Sequence, residues 1–277
     1  MKTTGEDKEV TRRNALGILA SVSAAFALGC SGTETSESSA GDGGVAGSDS
    51  GSASDASASG DGATSGTGAD GGECAVTPEG EIGPYFSDDS DARFNRTNIT
   101  ANLDGTNVQD GIPLTLTITV IDVDAGCVPY ANAQVDIWHC NSAGIYSDQA
   151  AESTTTEQWL RGYQLTDAKG QVTFNTVIPG WYQGRTTHIH LRVRSSYSNA
   201  SSTSDGSNTT QLFFDQSFID TLDTTVTPYS GEGKNTTTNA SDHVFTGETK
   251  GANLLSLVGN DTSGYVASVT IGIPIAS

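Results

Sequence analysis

Arg185-Thr186-Thr187-His188-Ile189-His190 follows closely on Pro179-Gly180-Trp181-Tyr182, and these residue types coordinate metal ions. In an extended strand successive side chains alternate faces. His188 and His190 then point one way and Ile189 the other. Two imidazoles on one face, with the Tyr182 phenol a few residues upstream, make up most of a metal site. The chain has only four histidines, and two of them stand one residue apart here. Taken singly, each residue also has a plain reading: Tyr182 as core packing, the histidines as a solvated strand face beside Arg192 and Arg194.

The elements that must position these residues read as β-strands. Leu114–Val120 alternates apolar and hydroxylated residues, and Gln134–Trp138 keeps the same period of two. Val172–Phe174 follows the turn Thr166–Gly170. His188–Arg194 places Ile189, Leu191 and Val193 opposite His188, His190, Arg192 and Arg194. Leu212–Phe214 and Val266–Ile273 predict further strands, and Gln216–Leu222 a short helix. Turn residues separate the runs. The pattern predicts an all-β fold, a β-sandwich of mainly antiparallel strands. Its order also resembles transthyretin-like and adhesin-like modules, which implies a rival: a non-catalytic binding module at the cell surface.

The rest of the 277 residues divides by composition. Residues 31–73 consist almost entirely of Ser, Gly, Ala, Asp, Thr and Glu, without an aromatic residue, Lys or Arg. Such a stretch buries too little apolar surface to offset chain entropy and reads as a disordered tether. Residues 74–277 form the expected folded domain. Residues 1–30 read as an export signal: Thr11-Arg12-Arg13-Asn14-Ala15-Leu16 resembles a twin-arginine motif, and the apolar run Ala15–Leu28 follows. Ala27-Leu28-Gly29-Cys30 resembles a lipoprotein cleavage box, with Cys30 as the lipid anchor. The expectation is an exported, extracytoplasmic protein, membrane-tethered or periplasmic. The formal net charge of −20 argues against nucleic acid as a partner. Outside the cytoplasm Cys74, Cys127 and Cys140 permit one disulfide and one leftover thiol. Spacing does not choose the pair, and nothing in the sequence sets the oligomeric state.

Further motifs belong with the Tyr182–His190 stretch. Gly83-Pro84-Tyr85-Phe86 opens the domain, Trp138-His139-Cys140-Asn141 leads into Gly144-Ile145-Tyr146-Ser147, and Trp159-Leu160-Arg161-Gly162 precedes the Thr166 turn. From about Thr77 to Phe214 this series resembles the intradiol ring-cleaving dioxygenases, above all the protocatechuate dioxygenase branch and its secreted relatives. The resemblance implies a ferric ion held by Tyr146, Tyr182, His188 and His190. It implies cleavage of a catechol between its two hydroxyl-bearing carbons with O2, giving a cis,cis-muconate-type diacid. Tyr182 would be the ligand that a bound catechol displaces, Arg185 the charge that stabilises the activated ring, and Gln211 a hydrogen-bonding support. The donor chemistry agrees: phenol, with a pKa of about 10, coordinates chiefly where a strong Lewis acid holds its anion. Two anionic oxygens favour Fe(III), whereas zinc takes His, Cys or carboxylate. Tyr85 reads equally as pocket lining and as packing. His139 reads as structural or supporting, and His243 as surface.

Overall fold

Alternation over Leu114–Val120 yields, in the computed structural model, strand β1 (Pro113–Asp122), with Leu114, Leu116, Ile118 and Val120 buried and the threonines between them half-buried. The structure describes residues 74–87, 90–195 and 208–275, so the expected export signal and tether lie outside the described residues. The other elements are β2 (Val128–Pro129), β3 (Gln134–Trp138), β4 (Arg161–Leu165), β5 (Gln171–Val177), β6 (His188–Arg194), β7 (Asn208–Phe213), helix α1 (Gln216–Thr225), β8 (Val258–Asn260) and β9 (Gly264–Ile273).

Two sheets form. In one, β9 runs between β1 and β8, while β5 and β2 share the opposite edge of β1; its β1–β9 pairing is parallel. The other has the order β4-β3-β6-β7 and is antiparallel throughout. Ile189, Leu191 and Val193 of β6, with Val135, Ile137 and Leu212, meet Leu116, Ile118, Phe174 and Ile271 of the facing sheet in one apolar core. Burying side chains of this size stabilises by about 1.5–3 kcal/mol each, which fixes the face that β6 turns inward. A one-residue slip would drive the histidines into the core.

The outer face of β6 is not solvated. All seven of its residues are buried, because segments outside the sandwich cover it. One is the arm 79–87. Another is the irregular stretch 235–249, with a π-helical turn at Val244–Glu248. Strand β7 starts at Asn208, ahead of the Leu212–Phe214 run that the sequence predicts, since Asn208–Thr210 already pair with β6. Residues 197–207 lie outside the described residues. Strand β4 was hidden from the period-two reading because Arg161-Gly162-Tyr163 is buried without alternation. The disulfide joins Cys74 to Cys127, and Cys140 is the buried free thiol.

Candidate metal centre

His188 and His190 project from β6 onto the covered outer face, and their Nε2 atoms lie 3.1 Å apart. His188 Nδ1 is 2.6 Å from the Thr186 carbonyl. A carbonyl only accepts, so Nδ1 carries the hydrogen and Nε2 presents its lone pair. The Tyr182 hydroxyl reaches the same His188 Nε2 at 3.4 Å. Trp138 stacks on the His190 ring, with centroids 4.9 Å apart and planes 4° from parallel, so its orientation is set by packing.

Tyr146 completes the group. Its ring centroid is 5.7 Å from that of Tyr182 and 6.2 Å from that of His190. Tyr85 of the arm stacks on it at 4.2 Å and meets Tyr182 edge-on. Tyr85 is therefore both packing and lining. The Tyr146 hydroxyl is buried and makes no hydrogen bond of good geometry. An orphaned buried hydroxyl costs free energy, and a cation coordinated by the phenolate removes that cost.

The two tyrosines come from loops that abut backbone to backbone. Gly144 has φ +76°, and a Cβ there would lie 2.0 Å from the Trp181 carbonyl oxygen. A Cβ on Gly180 would meet the Ser142 carbonyl oxygen at 2.3 Å. The Asn141 carbonyl accepts from both Gly144 N and Gly180 N, while its side chain holds the Tyr146 loop through Ala143 N and Ile145 N. The glycine two residues before each tyrosine thus has a steric cause: only glycine lets the loops approach this closely.

Burial sets the protonation states. It pushes the Tyr146 phenol well above its ordinary pKa, and the neighbouring Tyr182 adds to the effect. Tyr182 is raised by burial too, with Arg185 opposing. Burial pulls His188 down to about 3, helped by Arg185. It pulls His190 lower than usual as well, helped by His188. The imidazoles are therefore neutral across the ordinary pH range. The phenols ionise only against strong positive charge. The donor set fits a hard trivalent cation: two phenolates would offset two of its charges, and a further anion would complete neutrality.

Arg185 is buried and its charge is shared. Its Nε donates to Asp242 Oδ2 at 2.9 Å, Nη1 to Glu81 Oε1 at 3.2 Å, and Nη2 to the Gln211 side-chain oxygen. Burial alone would lower its pKa, but the hydrogen bond to Asp242 and the nearby Tyr182 outweigh that and leave it raised. Gln211 stands opposite His190 in the β6–β7 register and donates to the Glu81 carbonyl. It is tied to Arg185 and the arm.

Asp242 and Glu81 were not foreseen in the sequence, and neither carries a local signal. Arg161 belonged to a noted motif without a role. It is buried and donates to Ser147 Oγ, the Ser147 carbonyl and the Tyr85 carbonyl, joining the segments that present Tyr146 and Tyr85. His139 is structural, bonded to the Cys140 carbonyl and Thr176 Oγ1. His243 is exposed, 3.7 Å from Glu81 Oε1.

A family model described as Dioxygenase matches residues 82–222. A catechol 1,2-dioxygenase of Candida albicans is 31% identical over 137 residues, which is 42% of this chain and 42% of that protein. A catechol 1,2-dioxygenase of Acinetobacter baylyi is 34% identical over 84 residues, 30% of this chain and 26% of that one. The chain thus spans less than half the length of these curated relatives. Among solved structures, an intradiol ring-cleavage dioxygenase from Tetranychus urticae superposes with a TM-score of 0.59 at 28% identity, covering 73% of this chain and 95% of that one. These matches point away from the adhesin-like rival that the sandwich pattern alone had left open.

Proposed function

We propose that this chain, which belongs to the intradiol ring-cleaving dioxygenases, opens a catechol ring between its two hydroxyl-bearing carbons with O2, yielding a cis,cis-muconate-type diacid. Tyr146, Tyr182, His188 and His190 would hold a ferric ion. Bound there, the ion would withdraw electron density from a chelating catechol and make its ring reactive toward O2.

The chain's own residues divide the remaining work. Tyr182 is the group that yields to substrate. It is only partly buried, whereas Tyr146 is 2% exposed and clamped under Tyr85. Once displaced, the Tyr182 phenolate would take one catechol proton and become the neutral phenol, and hydroxide would take the other and become water. A catechol dianion in place of one phenolate and one hydroxide would leave the charge sum of the site unchanged, so substrate binding would cost no new buried charge. Arg185, held by Asp242 and Gln211, keeps a fixed positive charge beside Tyr182, where negative charge builds on the ring. Trp138, Tyr85 and Phe86 keep the pocket apolar and exclude water.

The observation that carries this reading is the meeting of His188 Nε2, His190 Nε2 and the Tyr182 hydroxyl beside the orphaned Tyr146 hydroxyl. Product analysis after incubation with catechol tests it. Muconate with two of its four carboxyl oxygens labelled by one molecule of O2 supports it, and an extradiol aldehyde product or unchanged catechol rejects it. Arg185→Ala keeps the iron and loses roughly 10²–10³ in kcat. A variant that loses its iron instead would make Arg185 structural.

We further propose an exported, lipid-tethered protein, on the strength of Arg12-Arg13, the apolar run Ala15–Leu28 and Cys30. Mass spectrometry of the cell-derived N-terminus tests it: a diacylglyceryl group on Cys30 is the expected result, and an unmodified Met1 or Cys30 excludes it.

A further inference from the structure

One wall of the site is the arm 79–87, and its contacts run in order across the donor cluster. Glu81 meets Arg185. A Cβ on Gly83 would lie 2.9 Å from His190 Cε1, so only glycine allows the arm this close. Tyr85 stacks on Tyr146. Between Glu81 and Tyr85 the arm carries no other charged side chain. The arm also begins with the exposed Glu79, but Glu81 is the carboxylate that meets Arg185, and its side chain is 39% exposed.

Glu81 is not alone at that end. Its backbone N donates to Glu248 Oε2 at 2.6 Å. One ligand atom each from Glu81, His243 and Glu248 lies within 4.8 Å of the others, and all three residues reach solvent. The Arg185 guanidinium thus faces two carboxylates, Asp242 and Glu81, and Glu248 adds a third beside Glu81.

Among the described residues, the arginines of the neighbourhood are closed to an incoming anion. Arg185 and Arg161 are each 6% exposed. Arg161 spends its donors on Ser147 and Tyr85. Arg192 and Arg194 are 0% and 1% exposed, lie under the Phe86 ring, and Arg194 pairs with Asp136. A substrate carboxylate would approach the like charges of Glu81 and Glu248, whereas an ammonium would find partners in them.

We infer that the site selects catechols by charge, favouring those whose ring side chain ends in a protonated amine over those ending in a carboxylate, with Glu81 as the specificity-determining residue and Glu248 reinforcing it. This rests on the proposed catechol activity and names its substrate class. Glu81 is partly solvated, so screening keeps the effect moderate: on the order of tenfold between ammonium and carboxylate at low salt.

Three catechols of matched size test it, with an aminoethyl, a propyl or a carboxyethyl chain on the ring. Ring-opening kcat/KM and calorimetric binding under argon are measured for each with the iron-loaded wild type, Glu81→Gln and Glu248→Gln. The expected wild-type order is aminoethyl, then propyl, then carboxyethyl, in both readouts. Raising the salt narrows the spread, and Glu81→Gln narrows it more than Glu248→Gln. The ratio to the propyl compound cancels any general loss from disturbing Arg185. A flat or reversed order, or a spread that neither substitution changes, overturns the inference. Failure to open even the propyl compound rejects the catechol activity instead, and the order of binding still decides the question of charge.

Discussion

Tyr146 and Tyr182 are chemically alike and differ in how they are held, and that difference divides their roles. Tyr146 is clamped by the Tyr85 stack and stays put; Tyr182 is partly open and sits beside Arg185. Tyr146→Phe therefore loses iron, read as metal content per chain, about as completely as His188→Ala. Tyr182→Phe retains more iron and loses mainly turnover; equal iron loss in the two tyrosine variants would contradict the assigned roles. His139 supports a separate expectation. It is fully buried and its pKa is lowered to about 4, chiefly by burial. The unfolded chain binds this proton near pH 6.5 and the folded chain does not. His139 thus leaves stability intact above pH 6.5 and removes it progressively as the pH falls toward 4, by roughly 3 kcal/mol in all. Urea titrations of wild type and His139→Gln across that range should differ by this slope; parallel pH profiles would show that the histidine accepts a proton in the fold. The four donors were legible because each sits in a local pattern. Asp242 and Glu81 were not, because they reach Arg185 from 57 and 104 residues away in the chain.

The strands place the imidazoles, and the loops place the phenols. Strand β6 was readable from its alternation, with bounds His188–Arg194 as the pattern implied. What the pattern missed was the cover on its outer face. A period of two gives the same signal for a solvated face and for one buried under an arm, and here the arm wins. Strand β4 escaped for a related reason: both its faces are buried near Arg161, so nothing alternates. The loops carry a sharper test. Gly144→Ala places a methyl group where the Trp181 carbonyl stands and forces φ into a region alanine avoids. It should destabilise by at least about 2 kcal/mol in chemical unfolding and cost iron affinity by separating Tyr146 from Tyr182. Wild-type stability and iron content in this variant would mean that the loops do not need to abut.

At the scale of the molecule, the sandwich is a frame and the arm covers the outer face of β6. The Cys74–Cys127 bridge ties the residue just before the arm to the β1–β2 connection. Closing a loop over a sequence separation of 53 residues stabilises by about 4 kcal/mol in the chain-entropy account. Cys74→Ser should lower the unfolding free energy by about 2–4 kcal/mol and weaken catechol binding as the arm loosens; unchanged binding would show that Thr77 and Gly80, hydrogen-bonded to Gly272 and Thr209, hold the arm without the bridge. Among the described residues no helix is long and apolar enough to cross a membrane. The central claim is that two phenols and two imidazoles share one ferric ion and that a catechol takes the place of one phenol. The visible absorption spectrum of the purified, iron-loaded protein, recorded before and after adding catechol under argon, tests it most directly. A broad phenolate-to-iron band that moves to longer wavelength with catechol is the predicted result. Iron bound at one per chain without such a band, or a band that catechol leaves untouched, would contradict the claim.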